Sequence, residues 1–481
     1  MPAGSSDNHF NQTNRDRAVN TSEGSLFIKN REELISHGQG KGREIVIDII
    51  EHALSAAHPY AATSNLVRLE GDILRAGDLR FDLSQRGKIY FLGAGKATFP
   101  IAKALEEILG ERICDGVVIV KEGQGGTLTR MKVREATHPL PSERGFMAAK
   151  EMKSLAEGAQ EGDIVFCAMT GGNSALAPLP VSGITLEEKR AVTELLLSSG
   201  ANIKEMNAVR KHLSDIKGGR LALSIFPAEV INLAVSDATG DPLDYVTNPT
   251  VPDTSTFADA IQTLKKYDLL EKIPRSAREY LLNATPEMET PKDFDNMPVH
   301  TFILVKSNVP CEAASNRARE LGFASMVLTS SLEGESKEVS HVFTGIAREI
   351  KTCHRPLVPP CVVIAGGETT VTIRDTCGKG GPNQEFTLSA GLELGGEKGV
   401  VIAAIDTDGT DGPTELAGGI VDSSTIERAK EKGVDLLESL LSHDASTVLS
   451  ELSDAIVTGH TGTNVNDLKV MLVAREYNSK H

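Results

Sequence analysis

Short apolar runs alternate with stretches of helical periodicity along most of this chain. In the first half the runs occupy residues 88–95, 116–120, 163–169 and 228–236, and the stretch after the first run, residues 96–110, has the periodicity of a helix. Runs of this length that end in glycine or polar turns are typical of buried strands. Strands that alternate with helices predict a mostly parallel sheet covered on both faces, and such sheets bind ligands beyond the carboxyl ends of their strands.

A second strand-and-helix pattern follows an acidic, proline-rich stretch, which we interpret as a linker between two α/β domains. Strands are predicted there at residues 299–307, 324–330, 361–367 and 399–409. The predicted division of the chain is a disordered or weakly ordered tail (1–42), a first domain (43–284), the linker (285–298) and a smaller second domain (299–481).

The composition is that of a globular protein with an acidic surface. The 481 residues include no tryptophan and carry a formal net charge of −16. Such a chain is not drawn to nucleic acid or to an anionic membrane, so neither is expected as a partner, and an anionic substrate has to be held by a local cationic pocket. Residues 1–24 lack the apolar segment of a secretory signal, and no apolar run is long enough to span a bilayer. We therefore expect a cytoplasmic protein.

The turn after the first predicted strand has the character of a phosphate site. It contains Gly93, Gly95 and Lys96, but it matches neither common nucleotide fingerprint, because Ala97 follows the lysine and Thr98 stands where a third glycine is required. A lysine at the positive end of a helix is poorly placed unless an anion compensates it. We therefore expect Lys96 at the catalytic centre, and we expect its loss to leave the unliganded protein equally stable or slightly more stable.

A second glycine-rich turn follows residues 163–169 and holds Gly172, Asn173 and Ser174. Its backbone N–H groups and side-chain donors are suited to a carboxylate or a phosphate. The simpler interpretation is a tight turn that requires glycine for backbone reasons alone. Ser174 is not predicted to be a nucleophile, because Leu176 occupies the last glycine position of the G-x-S-x-G elbow.

Two stripes of side chains run along the helix that is predicted to begin near residue 203. The apolar stripe consists of Met206, Val209, Leu213 and Ile216, and the polar stripe consists of Asn207, Arg210, Ser214 and Lys217. The polar stripe lies about 100° around the helix from the apolar one, at the margin of the buried face. Because it holds two cations and no acid, we expect Asn207, Arg210 and Lys217 to bind an anion. The alternative is a solvated flank.

Two acidic turns are candidates for a metal site. Asp237 and Asp241 follow one predicted strand, and Asp406, Asp408 and Asp411 follow another. Carboxylates in such turns can hold Mg²⁺ together with substrate phosphates. We select Asp237 and Asp408 as metal ligands, with Asp237 also the candidate general base. The alternative is a pair of solvated turns held by Asx hydrogen bonds.

Polar loops in the second half of the chain supply the remaining candidates. Asn383 and Glu385 are predicted to contact the substrate or its phosphate. The candidates for nucleotide binding are Gly366, Gly367, Glu368, Thr461, Thr463 and Asn464.

Taken in order, these loops resemble those of the class II glycerate 2-kinases. The matching motifs are G-A-G-K-A, G-G-x-S-A-L, N-x-V-R-K-H-L-S-x-I-K-G-G-R-L-A, S-D-x-x-G-D-P, G-G-E-T-T-V, G-G-x-N-Q-E, D-T-D-G-T-D-G-P and T-G-T-N-V-N-D, and they span residues 43–474. The resemblance implies a Rossmann-like first domain with a mostly parallel sheet, a smaller α/β second domain containing the MOFRL region, and an active site in the cleft between them.

The resemblance also implies a reaction, which is transfer of phosphate from ATP to the 2-hydroxyl of D-glycerate with the help of Mg²⁺. Lys96 corresponds to the site lysine of the family's G-x-G-K-A motif. The family commonly has an arginine thought to act in catalysis where this chain has Pro382. We therefore expect a nearby cation, Lys379 or Arg374, to supply that charge, and we place Lys379 with Lys96, Arg210 and Asp237 as candidate catalytic residues. A homodimer is possible.

Two other functions remain open at this point. Relatives are often labelled hydroxypyruvate reductases, but a reductase needs a dinucleotide site, and Glu122 lies 27 residues after Gly95 instead of about 20. A non-catalytic sensor of sugar acids or phosphates would explain Pro382 as the decay of an active site.

Overall fold

The computed structural model describes residues 26–236, 248–373 and 378–474. Its strands are, in chain order, β1 (Val67–Glu70), β2 (Ile73–Ala76), β3 (Leu79–Asp82), β4 (Ile89–Ala94), β5 (Ile113–Lys121), β6 (Lys132–Ala136), β7 (Ile164–Met169), β8 (Glu229–Ser236), β9 (Val299–Lys306), β10 (Ala324–Leu332), β11 (Cys361–Gly367), β12 (Val400–Asp406), β13 (Gly418–Asp422), β14 (Ala455–Ile456) and β15 (Asp467–Val473).

The helices are α1 (Arg31–Ile35), α2 (Gly40–Ala56), α3 (Pro59–Leu66), α4 (Thr98–Leu109), α5 (Glu143–Glu157), α6 (Asn173–Leu176), α7 (Leu186–Leu197), α8 (Ile203–His212), α9 (Arg220–Ile225), α10 (Phe257–Lys266), α11 (Arg275–Leu282), α12 (Asn308–Glu320), α13 (Ser336–Cys353), α14 (Pro382–Leu394), α15 (Thr425–Lys432), α16 (Leu436–Leu441) and α17 (Ala445–Glu451). In the part of the chain that the structure describes, none of these helices has the length and the apolar character that crossing a bilayer requires.

The first sheet confirms the predicted parallel arrangement. Its strand order is β6-β5-β4-β7-β8-β9, and each neighbouring pair is parallel. Strand β4 is buried along its whole length because alternate side chains pack on opposite faces: Phe91 lies in one apolar cluster and Leu92 in the other. The order of the strands reverses between β4 and β7, which is where a doubly wound sheet binds its ligands.

The second sheet is mixed, with the order β10-β11-β15-β12-β13-β14. Only β10 and β11 run parallel, and β15 is antiparallel to both of its neighbours. Where the central strands of this sheet end, Asp467, the first residue of β15, pairs with Gly367, the last residue of β11, and with Asp406, the last residue of β12. The ends of three strands, two of which carry an aspartate, therefore meet there.

The chain divides between these domains differently from the prediction. Helix α2, part of which lay in the predicted tail, packs in the core of the second sheet, and its buried Arg43 is paired with Asp422 and Asp454. Strand β9 belongs to the first sheet and not to the second domain. Within the predicted linker Thr290 is buried, and its hydroxyl donates to Asp253 at 3.0 Å. The crossing to the second domain thus comes after β9.

The helix predicted from residue 203 is shorter than its periodicity indicates. Helix α8 ends at His212, and Gly218 and Gly219 adopt positive φ angles of 60° and 84° before α9 begins. Leu213 and Ile216 are nevertheless buried, because the turn itself packs inside the protein. The expectation of one continuous polar stripe is therefore wrong beyond Arg210, and Lys217 reaches its position from a turn.

Candidate active site

Backbone hydrogen bonds join the segments that follow β4 and β7. The N–H of Lys96 donates to the carbonyl of Gly171 at 2.9 Å, and the N–H of Thr170 donates to the carbonyl of Ala94 at 3.0 Å. A Cβ on Gly95, whose φ is 136°, would lie 2.1 Å from the Thr170 hydroxyl oxygen. Glycine is thus required at position 95 by this close approach, which holds Lys96 at the point where the strand order reverses.

Lys96 connects the two domains through an ion pair. Its ammonium group forms an ion pair with Asp408, which follows β12 of the second sheet. The lysine side chain is 16% exposed and the aspartate side chain 1%. Burial alone would lower the pKa of Lys96, but the negative charges of Asp408, Asp406 and Glu368 outweigh it and raise the pKa. Lys96 is therefore a fixed positive charge among carboxylates.

Those carboxylates repel one another. Burial, together with the charges of Asp408 and Asp467, raises the pKa of Asp406 well above its ordinary value, and the charge of Lys96 opposes this shift only partly. The backbone N–H of Asp408 donates to the Asp406 carboxylate at 2.9 Å, which keeps that carboxylate beside residue 408. This pair of acids favours a bound cation more strongly than solvated aspartates would.

A second charged group lies beneath the turn after β7. The ammonium of Lys217, which is buried, donates to the side-chain oxygens of Asn173 and Ser174, each at 3.2 Å. Arg210 is half-buried and donates to Asn207 at 3.2 Å. The structure thus brings together five of the predicted anion-binding residues.

Burial and mutual repulsion leave these cations suited to a negative ligand. Burial, followed by the charges of Lys189 and Arg210, lowers the pKa of Lys217 well below its ordinary value. Burial and the charges of Arg210 and Arg220 likewise lower the pKa of Lys189 to about 7. An anion bound beside them would raise both pKa values and relieve the repulsion. Lys189 was missed because it lies on a separate helix, α7, with no neighbouring motif.

Gly93 and Gly172 have backbone and packing roles at the same turns. A Cβ on Gly93 would lie 2.4 Å from the Thr98 methyl carbon, so the strand and the helix after it approach closely here. Gly172 caps α6 with a φ of 85°. A Cβ on Gly172 would lie 3.2 Å from the His138 ring and 3.4 Å from Cγ of Lys96. His138 therefore lies beside Lys96 and is a further candidate for the site, which the sequence did not indicate because it lies in a loop without a recognisable motif.

The predicted residues of the second domain are mostly occupied by contacts within that domain. Asn383 is fully buried, donates to Asp411 and Asp467, and accepts from Lys469. Glu385 is paired with His443 at 2.8 Å. These contacts stabilise the start of α14 and do not join either residue to Lys96.

Of the predicted nucleotide-binding residues, some are occupied by contacts within the protein and one lies near Lys96. The hydroxyls of Thr461 and Thr463 donate to the backbone carbonyls of Thr407 and Ala57. Glu368 is exposed and lies near enough to Lys96 to raise the pKa of that lysine. The other predicted members of this set are Gly366 and Gly367, which end β11, and the partly buried Asn464.

Gly366 and Gly367 are also needed for packing. A Cβ on Gly367 would lie 2.1 Å from the backbone nitrogen of Leu332, and one on Gly366 would lie 2.6 Å from the Cys311 sulfur. Asp237, together with Asp241 and Arg374, lies outside the described residues, so its predicted roles remain predictions. In the described ranges, no three His, Cys, Asp or Glu side chains are grouped as a metal site of their own.

Lys379 lies on the loop before α14, and its effect on activity is open to a direct test. Its N–H donates to Asp444 at 2.9 Å, and its side chain is exposed. We expect Lys379→Ala to lower kcat/KM by about tenfold, the low end for loss of a charged contact. Lys398→Ala is the matched control, because Lys398 is equally exposed but lies before β12, at the opposite end of that strand from Asp406. Wild-type kinetics in Lys379→Ala would contradict the prediction. If the rate does fall, Pro382→Arg is the variant to test for a gain in rate.

Comparison with known proteins places the chain in a family. Residues 45–282 match the model "Domain of unknown function (DUF4147)", and residues 361–467 match the MOFRL family. A glycerate 2-kinase of Pyrococcus horikoshii is 42% identical over 90% of this chain and 97% of its own length. A putative hydroxypyruvate reductase of Agrobacterium vitis is 35% identical over 90% of this chain and 94% of its own.

The solved structures agree with the sequence comparisons. A crystal structure of a glycerate kinase from Thermotoga maritima is 36% identical, has a TM-score of 0.78, and is matched over 91% of this chain and 100% of its own. With the two family models and these relatives together, the chain belongs to the MOFRL-containing glycerate kinase family.

Proposed function

We propose that this protein is a glycerate 2-kinase, which transfers the γ-phosphoryl group of ATP to the 2-hydroxyl of D-glycerate and forms 2-phosphoglycerate. The observation that carries this proposal is the ion pair between Lys96 of the first domain and Asp408 of the second. It sets the positive charge that follows β4 of the first sheet beside carboxylates at the ends of β11 and β12 of the second sheet. Phosphoryl transfer requires mainly such positioning and charge stabilisation.

The site has one positive region at Lys96 and another at Arg210 and Lys217, and each suits one of the two anionic substrates. The carboxylate of glycerate fits the cations beneath the turn after β7, where Arg210 and Lys217 lie. The polyphosphate of ATP fits the side of Lys96, whose charge stabilises the phosphoryl group during transfer. Because the protein carries a formal net charge of −16, both anions depend on these local cations for binding.

The acids at the end of β12 fit Mg²⁺. Asp406 and Asp408 are close together, and the raised pKa of Asp406 reflects negative charge that a cation would compensate. Mg²⁺ is commonly held by one or two carboxylates and completes its shell with water and substrate phosphates. We propose that Asp408, with Asp406 beside it, holds the ion, and that Asp237 is a further ligand. When bound, Mg²⁺ would neutralise charge on the phosphates of ATP.

Arg210→Met is expected mainly to raise the KM for glycerate, by roughly tenfold or more, because a charged contact to the substrate carboxylate is lost. The KM for ATP should stay nearly unchanged. Initial-rate kinetics with each substrate varied in turn measure both constants. A defect confined to ATP would place Arg210 on the nucleotide side.

Leu213→Ala is the control that separates binding from folding. Leu213 is 1% exposed and packs with Val209 and Leu264 in the cluster that includes helices α8 and α10. Its truncation should lower the free energy of unfolding by about 2–5 kcal/mol. Arg210→Met should change that free energy much less.

The function itself is tested with the purified full-length chain. Glycerate is incubated with ATP and Mg²⁺, and the position of the phosphate in the product is read by ³¹P NMR. A parallel incubation with hydroxypyruvate and NADH or NADPH follows the loss of nicotinamide absorbance. A 2-phosphorylated product supports the proposal, phosphate on the 3-hydroxyl contradicts its regiochemistry, and nicotinamide oxidation alone favours the reductase.

Two features at the ends of β4 and β5 do not fit a dinucleotide. Thr98, at the third glycine position of the fingerprint, is fully buried, and its hydroxyl lies 3.2 Å from the carbonyl oxygen of Ala168. Glu122, the acid nearest the end of β5, is engaged in an ion pair with Arg144. Both features support the kinase over the reductase.

A further inference from the structure

His138 lies in the proposed active site but has no role in the charge arrangement described so far. It follows β6, whose carboxyl end lies at the same edge of the first sheet as those of β4 and β7. Its Nε2 atom lies 3.3 Å from the position a Cβ on Gly172 would occupy, and Cγ of Lys96 lies 3.4 Å from that same position. The imidazole and the lysine stem thus flank one small space above the turn.

The loop that carries His138 is held by bonds of its own. The hydroxyl of Thr137 donates to the carbonyl of Leu140 at 2.6 Å, and Ser142 caps α5. Arg190 donates to the carbonyl of Pro141. The ring of His138 is half-buried, and its nitrogens make no hydrogen bond to any other residue that the structure describes. A polar ring fixed in this way, with its hydrogen-bonding capacity unused, is suited to a ligand.

Burial and the neighbouring lysines keep the ring neutral. Burial, followed by the charges of Lys96 after β4 and Lys121 at the end of β5, lowers the pKa of His138 to about 4, while Asp408 after β12 opposes the shift. Near neutral pH the imidazole is therefore unprotonated. A neutral imidazole has one nitrogen that accepts a hydrogen bond, whereas Lys96 can only donate.

We propose that His138, in place of the Asp237 considered from the sequence, is the general base that accepts the proton of the attacking hydroxyl. The inference rests on the proposed kinase function. The O–H bond of the 2-hydroxyl breaks and its proton passes to a ring nitrogen of His138. The hydroxyl oxygen forms the new bond to the γ-phosphorus, and the bond from that phosphorus to the β,γ-bridging oxygen breaks, releasing ADP. The imidazolium then returns its proton to solvent.

His138→Gln tests this role, since glutamine keeps a hydrogen-bonding side chain but cannot carry the proton. We expect kcat to fall by about 10²–10³ with the KM for ATP nearly unchanged. Wild-type kcat should be level between pH 6 and 9, about two units or more above the pKa of the ring. The kcat of the variant should rise with pH over that range, because solvent hydroxide takes over the proton. A role in folding alone would not produce this slope.

His341→Gln is the matched control, because His341 is exposed on α13, 3.4 Å from Glu393. It should retain wild-type kcat and wild-type pH dependence. A His138→Gln enzyme with kcat within about threefold of wild type, or with a uniform loss that does not change with pH, overturns the proposal. If the wild-type chain does not phosphorylate glycerate at all, the proposed function fails instead, so the two failures are distinguishable.

Discussion

Lys96→Met is expected to lower kcat by about 10²–10³, the scale for losing one preorganised charge contact in a phosphoryl-transfer site. Methionine keeps most of the length of the side chain and removes its charge together with its N–H donors. The effect should be large because Lys96 is fixed between a backbone hydrogen bond to Gly171 and the carboxylate of Asp408. Saturating both substrates isolates kcat, and a variant with normal kcat would show that this turn is not the catalytic centre.

The same substitution should also destabilise the protein, which corrects the expectation from sequence. From the sequence alone, Lys96 is expected to be uncompensated without a bound anion, but the structure pairs it with Asp408. Its removal leaves Asp408 and Asp406 without their cation, so the free energy of unfolding should fall by roughly 1–3 kcal/mol. Because the folded-state pKa of Lys96 is raised, its contribution is present in full below pH 10.5 and is lost as the pH rises through that folded-state value.

Lys103→Met provides the control for both measurements. Lys103 lies on α4, the helix after Lys96, and is 55% exposed with only a 4.0 Å contact to Glu107. An exposed pair of this kind contributes little to stability. Lys103→Met should therefore leave kcat and the unfolding midpoint close to those of wild type. With no tryptophan in the chain, circular dichroism is the appropriate measure of unfolding.

The central strands were predictable because they are buried on both faces, so that consecutive residues in the sequence are apolar. All six residues of β4 are buried, and the sequence shows an unbroken apolar run there. Strand β15 was missed because Lys469 interrupts its apolar pattern. That lysine is fully buried, paired with Asp467 at 2.9 Å and 3.2 Å from the Asn383 oxygen, so only tertiary contacts make its burial possible.

The candidate site was predictable only in part, for a similar reason. The glycine-rich turns are local features, and they marked Lys96 and Asn173. The partner of Lys96 is 312 residues away, and no pattern in the sequence specifies that pairing. His138 was missed because its position beside Gly172 depends on how strands β6, β4 and β7 end on the same side of the sheet. Candidate functional residues can thus be identified from local motifs, whereas the contacts between them are known only from the three-dimensional structure.

Asp406→Asn should raise the stability of the unliganded protein and lower its activity. The raised folded-state pKa of Asp406 means that ionisation of this carboxyl is less favourable in the folded protein than in the unfolded chain. The native state therefore binds the extra proton, and stability falls as the pH rises from 3.8 toward the folded-state pKa. Asparagine removes that charge and keeps an oxygen to accept the N–H of Asp408, so the unliganded variant should be more stable at pH 7 by about 0.5–2 kcal/mol.

This gain should disappear below pH 3.8, where the wild-type carboxyl is protonated in both states. Activity should change in the other direction, with kcat lowered by about a hundredfold or more and a higher Mg²⁺ concentration needed for half-maximal rate, because a charge beside the proposed metal ligand Asp408 is lost. Asp78→Asn, at an exposed position between β2 and β3, is the control and should alter neither quantity. An Asp406→Asn protein that is less stable at pH 7 would show that Lys96 compensates this carboxylate fully, whereas unchanged Mg²⁺ dependence would remove Asp406 from the metal site.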